Sequence, residues 1–555
     1  MKQAARSRLR ARLRSHSPWL CAALASPRVL TWPQVIGAPP ASTNSHPPLR
    51  PLRVVAAWLR DDPRCPPRAR RWFAASTFGA FVALVLLGAA HHQVWRDESR
   101  ALSIALEPDS LLGLGASLRN EGHPGLWHLL LRLMHELVAT PHVLQLVAIP
   151  IGIGAGALLF FGARLPTWWR VLFLFGWVPL FEGAVLCRNY GISMLLLFWF
   201  CASVSTRPMR SLAAAAALAL LANTNAYGTM MTGVFALFLV VEARRQRLSP
   251  RVLAMIVVVV AAGIAVAVAT MLPTPISKIT PSIGDKFGSV GATAVDALIQ
   301  FSTITNTLFG FAPLAWGVVL LFVVATLAVP HLAIAVLVMF AGAAWFMRGV
   351  YNAGPHHLGM LFAFMAAVTW IRAGHTSATT AGPRAVRVAW RALLFGVWPL
   401  LLLLQDYRGL REIQQEVQYT KTAAPELAQL LARDDLAGAV VIGEPDYFLD
   451  ALPYYRDNRI FIAREDRFGR RVSWTTDSRR DFDLGQLLAA ARRVQREQQV
   501  PVLLVIGNLI RLDQPSGEIR HGYGDQFRWS PAQQQEFFAA TEHKASLPAR
   551  PSVPT

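Results

Sequence analysis

Apolar runs long enough to approach or cross a bilayer recur between residues 72 and 404, Arg251–Leu272 and Ala392–Leu404 among them. In hydrocarbon every backbone N–H and C=O must find a partner within the protein, so a continuous apolar run of this kind is restricted to a helix. Composition agrees: 54% of the chain is hydrophobic and 16% charged, against about 25% charged in ordinary soluble domains. The chain reads as an α-helical polytopic membrane protein.

Lys and Arg number 54 and Asp and Glu 33, a net charge of +21. Residues 1–71 hold 14 Lys or Arg against Asp61 and Asp62, so this block carries 12 of the 21 net charges. Its position before the first apolar run suits a cytoplasmic, positive-inside tail rather than a nucleic-acid surface. Its Pro, Ser and Arg content predicts disorder. The run at Trp72–Ala90 lies too far from Met1 for a cleavable signal peptide. Cys21, Cys65, Cys187 and Cys201 are the cysteines, so the region after Cys201 cannot be held by disulfides.

Two arginine-rich loops anchor the topology: Arg244, Arg245, Arg247 and Arg251, then Arg372, Arg384, Arg387 and Arg391. Counting from them places Arg164–Arg170, Arg207 and Arg210 inside, and residues 95–123 and 182–190 outside. The counts agree only if residues 124–162 cross once. The segment 126–139 is then an interfacial or bundle-edge helix, because His128, Arg132, His135 and Glu136 recur at three- and four-residue spacing as a polar stripe. About eleven spans result. The expected division is a disordered tail (1–71), a membrane domain (72–404) with an external loop at 93–125, a small α/β domain outside (405–545), and a frayed end (546–555). The α/β reading rests on strand-like Gly438–Ile442, Arg459–Ala463 and Val502–Ile506 alternating with helix-like Pro425–Ala432 and Leu484–Arg493.

The first external loop holds Asp97 and Glu98 just after the first span, then Glu121 and His123 before Pro124. Carboxylates at this depth can accept a proton from an incoming hydroxyl or hold a divalent cation against a phosphate. They can equally be loop charges paired with Arg96 and Arg100. Arg188 and Tyr190 lie at another external end, where an arginine either meets phosphate or snorkels to headgroups. A further external cluster runs from Arg348 to His356 and His357, with glycines that permit close backbone approach. The loop Pro273–Phe309 reads as a lid or a plain connection. In the C-terminal domain, Glu444–Tyr447 follows a strand as a sheet-edge site or an Asp446 cap. No nucleotide-phosphate loop is present in the sequence.

Asp97-Glu98, the stretch Glu121-Gly122-His123-Pro124-Gly125-Leu126-Trp127 and the stretch Phe181–Tyr190 resemble motifs of the GT-C glycosyltransferases. The likeness is greatest to bacterial relatives of protein O-mannosyltransferases and lipid A aminoarabinose transferases. Their pattern is Glu-x-His-Pro-Pro-Leu-Tyr, from which Gly125 and Trp127 depart. The resemblance covers roughly 72–400. It implies a polyprenyl-phosphate sugar donor, an acceptor in the cell envelope, and inverting displacement with Asp97 as general base beside Glu98. It also implies that Glu121, His123, Arg188, Tyr190, Arg348, His356 and His357 meet the donor or substrate. Glu121 and Glu182 would hold a cation, Mg²⁺ or Mn²⁺. The expected location is a bacterial inner membrane with a periplasmic C-terminal domain. Competing readings are a transporter or flippase of a lipid-linked or polar solute, and a non-catalytic envelope scaffold. Transporters set ionisable residues deep in their spans, whereas here they gather at the external ends.

Overall fold

The computed structural model describes residues 51–206, 208–278, 312–349, 354–375, 383–522 and 524–547. Among them seven helices are long and apolar enough to cross a membrane: Pro67–His91, Val143–Gly162, Ala226–Arg245, Pro250–Met271, Pro330–Met347, His356–Gly374 and Arg384–Gln418. Three shorter apolar helices, Tyr190–Val204, Ser211–Ala222 and Trp316–Thr326, pack with them. The chain is a helical membrane protein with a small strand-containing C-terminal region.

The differences from expectation are local. Residues 170–186, an apolar stretch that reads as one of the expected spans, are not one helix: Thr167–Phe175 stops at Gly176 and a π turn follows at Val178–Glu182. The segment 126–139 is a helix of 12 residues, Leu126–Leu137. At 1.5 Å per residue it falls well short of a core of roughly 30 Å. In the stretch expected to be disordered, residues 51–71 are helical at Pro51–Leu59 and from Pro67 onward. Ala57 and Trp58 are buried there, which supplies the apolar contact that the tail composition seemed to deny. Residues 1–50 lie outside the described residues. The last membrane helix does not end near Leu404 but runs on to Gln418.

Contacts sort the loops onto two ends of the bundle. One end gathers the basic loops: Asp61 accepts from Thr167, Gln246 reaches Met209, Arg372 stacks over Trp390, and Glu242 faces His331 and His375. The other end holds the loop after His91, the turn at 182–190, the start of Pro355–Gly374, and the C-terminal domain. Arg100 pairs with Asp450 there, Tyr454 bonds Gln145, and Lys278 pairs with buried Asp525.

In the C-terminal domain, β1 (Val440–Glu444) pairs in parallel with β5 (Val502–Ile506). β2 (Phe461–Ile462) pairs with β3 (Arg467–Phe468), and β7 (Asp525–Trp529) lies between β4 (Asp481–Asp483) and β6 (Gly517–His521). Val440, Ile442, Phe482, Leu487 and Phe527 form its core. Three strands lie in the expected stretches: β5 on the expected residues, β1 two residues later than expected, and β2 trimmed to two residues. β3, β4, β6 and β7 do not, because sequences such as Asp481–Asp483 and Gly517–His521 lack an apolar alternation.

Candidate functional site

The helix Arg96–Leu106 opens the site. Its first turn contains Asp97 and Glu98, where acidic residues complement the helix dipole. The two carboxylates then diverge. Glu98 is fully buried, and its oxygens accept from the backbone N–H of Trp95 (3.0 Å) and of Cys187 (2.6 Å) and face Nε2 of His92 (3.0 Å). Asp97 keeps a quarter of its side chain exposed, and accepts from Arg96 at 3.0 Å and from Nη1 of Arg188 at 3.0 Å. Burial would raise the Asp97 carboxyl, but Arg188 and Arg96 outweigh it and hold it at about 2.

Arg188 is delivered by the broken segment. After the π turn, residues 183–184 pass between two helices at backbone contact. A Cβ on Gly152 would stand 2.4 Å from Cα of Ala184, and one on Gly191 2.2 Å from O of Gly183. Only glycine allows that approach. Arg188 then lies over the rings of Tyr190 (5.3 Å) and Trp95 (5.9 Å).

Beyond it, Glu182 accepts from Nδ1 of His356 at 2.5 Å. The His356 ring is surrounded by Trp95, Trp177 and Tyr190 at centroid distances of 6.0, 6.1 and 6.3 Å. His357 accepts the Gly354 N–H at Nδ1 (3.1 Å), which leaves the proton of a neutral ring on Nε2. Its ring meets Tyr190 and Tyr227 at 6.5 and 5.6 Å. His123 lies within electrostatic reach of Arg188, Asp97 and Glu121, and burial foremost, then Arg188, lowers its imidazole to about 4. Buried polar atoms of Trp95 (Nε1), Trp177 (Nε1), His123 (Nδ1) and Glu182 (Oε2) have no partner among the described residues.

Glu121 lies in a different network. Arg100 grips it with two hydrogen bonds, at 2.8 and 3.0 Å, and Arg471 of the C-terminal domain adds a third at 2.8 Å. Arg471 also binds Glu107, and Arg100 also binds Asp450. Glu121 therefore fastens the His123 loop to the C-terminal domain. Glu121 and Glu182, the expected cation ligands, are each paired with a basic side chain. No group of three or more His, Cys, Asp or Glu side chains among the described residues is placed to hold a metal.

The structure thus brings Asp97, His123, Arg188, Tyr190, Glu182, His356 and His357 together, and sets Glu98 and Glu121 into supporting networks beside them. The Arg348 side chain lies outside the described residues, as do Asp285, Lys286 and Asp296 of the loop Pro273–Phe309. Sequence reasoning missed Trp95 and Trp177, whose only signal is their place beside apolar-segment ends. It also missed His92, held between Glu98 and Glu416 (3.1 Å).

No family model, curated protein or solved structure matches the chain.

Proposed function

We propose that this protein is a membrane glycosyltransferase that moves a sugar from a polyprenyl-phosphate donor to an acceptor hydroxyl or amine, with inversion at the anomeric carbon. The observation that supports this most is the 3.0 Å pairing of Asp97 with Arg188 inside a ring of aromatic side chains and unpartnered polar atoms. A phosphosugar head needs an anion contact, aromatic faces for the sugar ring, and a carboxylate beside the reacting carbon. Arg188 suits phosphate through its planar fork. The two indoles supply N–H donors.

The resting pair also fits an order of events. A carboxylate held at about 2 is ionised but a weak base. Donor phosphate competing for Arg188 would release Asp97 and raise its basicity as the substrate arrives. The acceptor oxygen then attacks the anomeric carbon while its proton passes to Asp97. The bond from that carbon to the phosphate oxygen breaks, and the polyprenyl phosphate leaves with the electron pair, its charge opposed by Arg188.

The site lies at the end of the bundle opposite the arginine loops. By the positive-inside rule this end would be the external face, which for an inner-membrane protein would be the periplasm.

The test is transfer from a radiolabelled polyprenyl-phosphate sugar by the purified protein and by Asp97→Asn. Loss of roughly 10²–10⁴-fold in the variant, with normal membrane insertion, supports the reading. Undiminished transfer would refute the role of Asp97. Solute counterflow in liposomes without any transfer would support a transporter instead.

A further inference from the structure

Strand β5 is an edge. Among the described residues its one strand neighbour is β1, and parallel pairing with Val440↔Val502 in register fixes which residues face which way. Val440 donates to the carbonyl of Pro501 and Gly507 to that of Glu444, so 501, 503, 505 and 507 turn toward β1. Val502, Leu504 and Ile506 direct their N–H and C=O groups the other way, and none of these groups meets a partner among the described residues. They open onto a groove of about 1230 Å³. Every residue from Pro501 to Asn508 lines it. Consecutive lining residues mean that the groove follows the strand's edge, since one face of a strand would show only alternate residues.

The groove is larger than the roughly 300–1,000 Å³ usual for small ligands. Its walls are apolar, with Leu427, Leu430, Leu449, Phe537 and Phe538 among them. Each of its lining cations is already ion-paired: Arg96 with Asp97, Lys421 with Glu412 and Glu416, Arg492 with Glu536, and Lys544 with Asp435 and Glu542, so the groove offers no spare charge to a ligand. A row of N–H and C=O groups at two-residue spacing matches another extended backbone and not a sugar chain or a lipid tail. We propose that the β5 edge binds an extended, uncharged polypeptide segment as an added strand. Trp95 and Arg96 line the same groove, so a bound segment lies close to Asp97, but the proposal does not depend on the reaction there.

The probe is a fluorescein-labelled ten-residue peptide of alternating threonine and valine with no charged side chain. It is titrated against the full-length protein in detergent by fluorescence anisotropy. Saturable binding is expected. Leu504→Pro removes one groove-facing donor without touching a bond to β1, and should weaken binding about tenfold, the worth of one hydrogen bond. The same peptide N-methylated at every residue, which has no N–H on either edge, should not bind, a comparison independent of the variant's folding. Absence of saturable binding, or equal affinity for the methylated peptide, would overturn the proposal.

Discussion

Arg188 donates to Asp97 across 3.0 Å, although 91 positions separate them in the chain. The contact joins the glycine-flanked turn after the broken helix to the first turn of Arg96–Leu106. Two groups of opposite charge, both partly shielded from water, thereby set one another's chemistry.

Removing the cation tests that coupling. Arg188→Gln deletes the largest single attraction among those of Arg188, Arg96 and Arg100 that lower the Asp97 carboxyl to about 2. The carboxyl should move up toward the ordinary carboxylate range, and the acid limb of a pH–rate profile for sugar transfer should move up with it. Arg188→Lys should restore the limb more than the rate, because an ammonium keeps the charge but loses the fork. An acid limb in Arg188→Gln unchanged from wild type would separate the two residues.

His123 yields a prediction about acid stability. Its folded-state value is lowered to about 4 from an ordinary 6.5, chiefly by burial. Below 6.5 the unfolded chain takes up a proton that the folded site resists. Its contribution is therefore complete above pH 6.5 and is lost as pH falls through about 4. His123→Asn should flatten the melting temperature across that acid window while leaving the value at pH 8 nearly unchanged, as read by thermal unfolding in detergent.

What the sequence showed and what it hid have physical causes. Ionisable residues at the ends of apolar runs stand out because hydrocarbon excludes them, so Asp97, Arg188 and His356 were legible as neighbours in depth. Their separate duties were not. Glu98 and Glu121 look like Asp97 in a loop of carboxylates, and only the partners distinguish them: backbone N–H groups for Glu98, and Arg471, 350 positions away, for Glu121. Long helices follow from run length. The stop at Gly176 has a local signal, a glycine followed by Pro179, that the apolarity of the run overrides, whereas the short strands β3 and β4 follow from tertiary packing that no local pattern records.

The charged network between the loop and the C-terminal domain should be steeply asymmetric. Arg100 holds both Glu121 and Asp450, so Arg100→Ala leaves two carboxylates in a buried setting without their common cation. Breaking a buried pair in this way costs roughly 3–5 kcal/mol. Arg471→Ala leaves Glu121 still gripped by Arg100 and should cost about 1–3 kcal/mol. Chemical unfolding followed by tryptophan fluorescence measures both. Equal losses would mean that Arg100 is not the hub.

His92 supplies the last and most pH-dependent element. Its ring lies between two carboxylates, Nε2 at 3.0 Å from Glu98 and Nδ1 at 3.1 Å from Glu416, a geometry that needs both ring nitrogens protonated. Burial works against that charge, yet Glu98 and Glu416 lift the imidazole from 6.5 to about 10. The folded-state value lies above the unfolded one, so the sign is the reverse of that for His123. The contribution is full below pH 6.5 and declines as pH rises through about 10. Because Glu98 also receives the Cys187 N–H, this decline should loosen the turn that presents Arg188. Wild-type protein should therefore lose thermal stability between neutral pH and pH 10, whereas His92→Ala should be less stable at neutral pH and nearly flat over the same range. A slope that survives in His92→Ala would assign the alkaline loss to other groups.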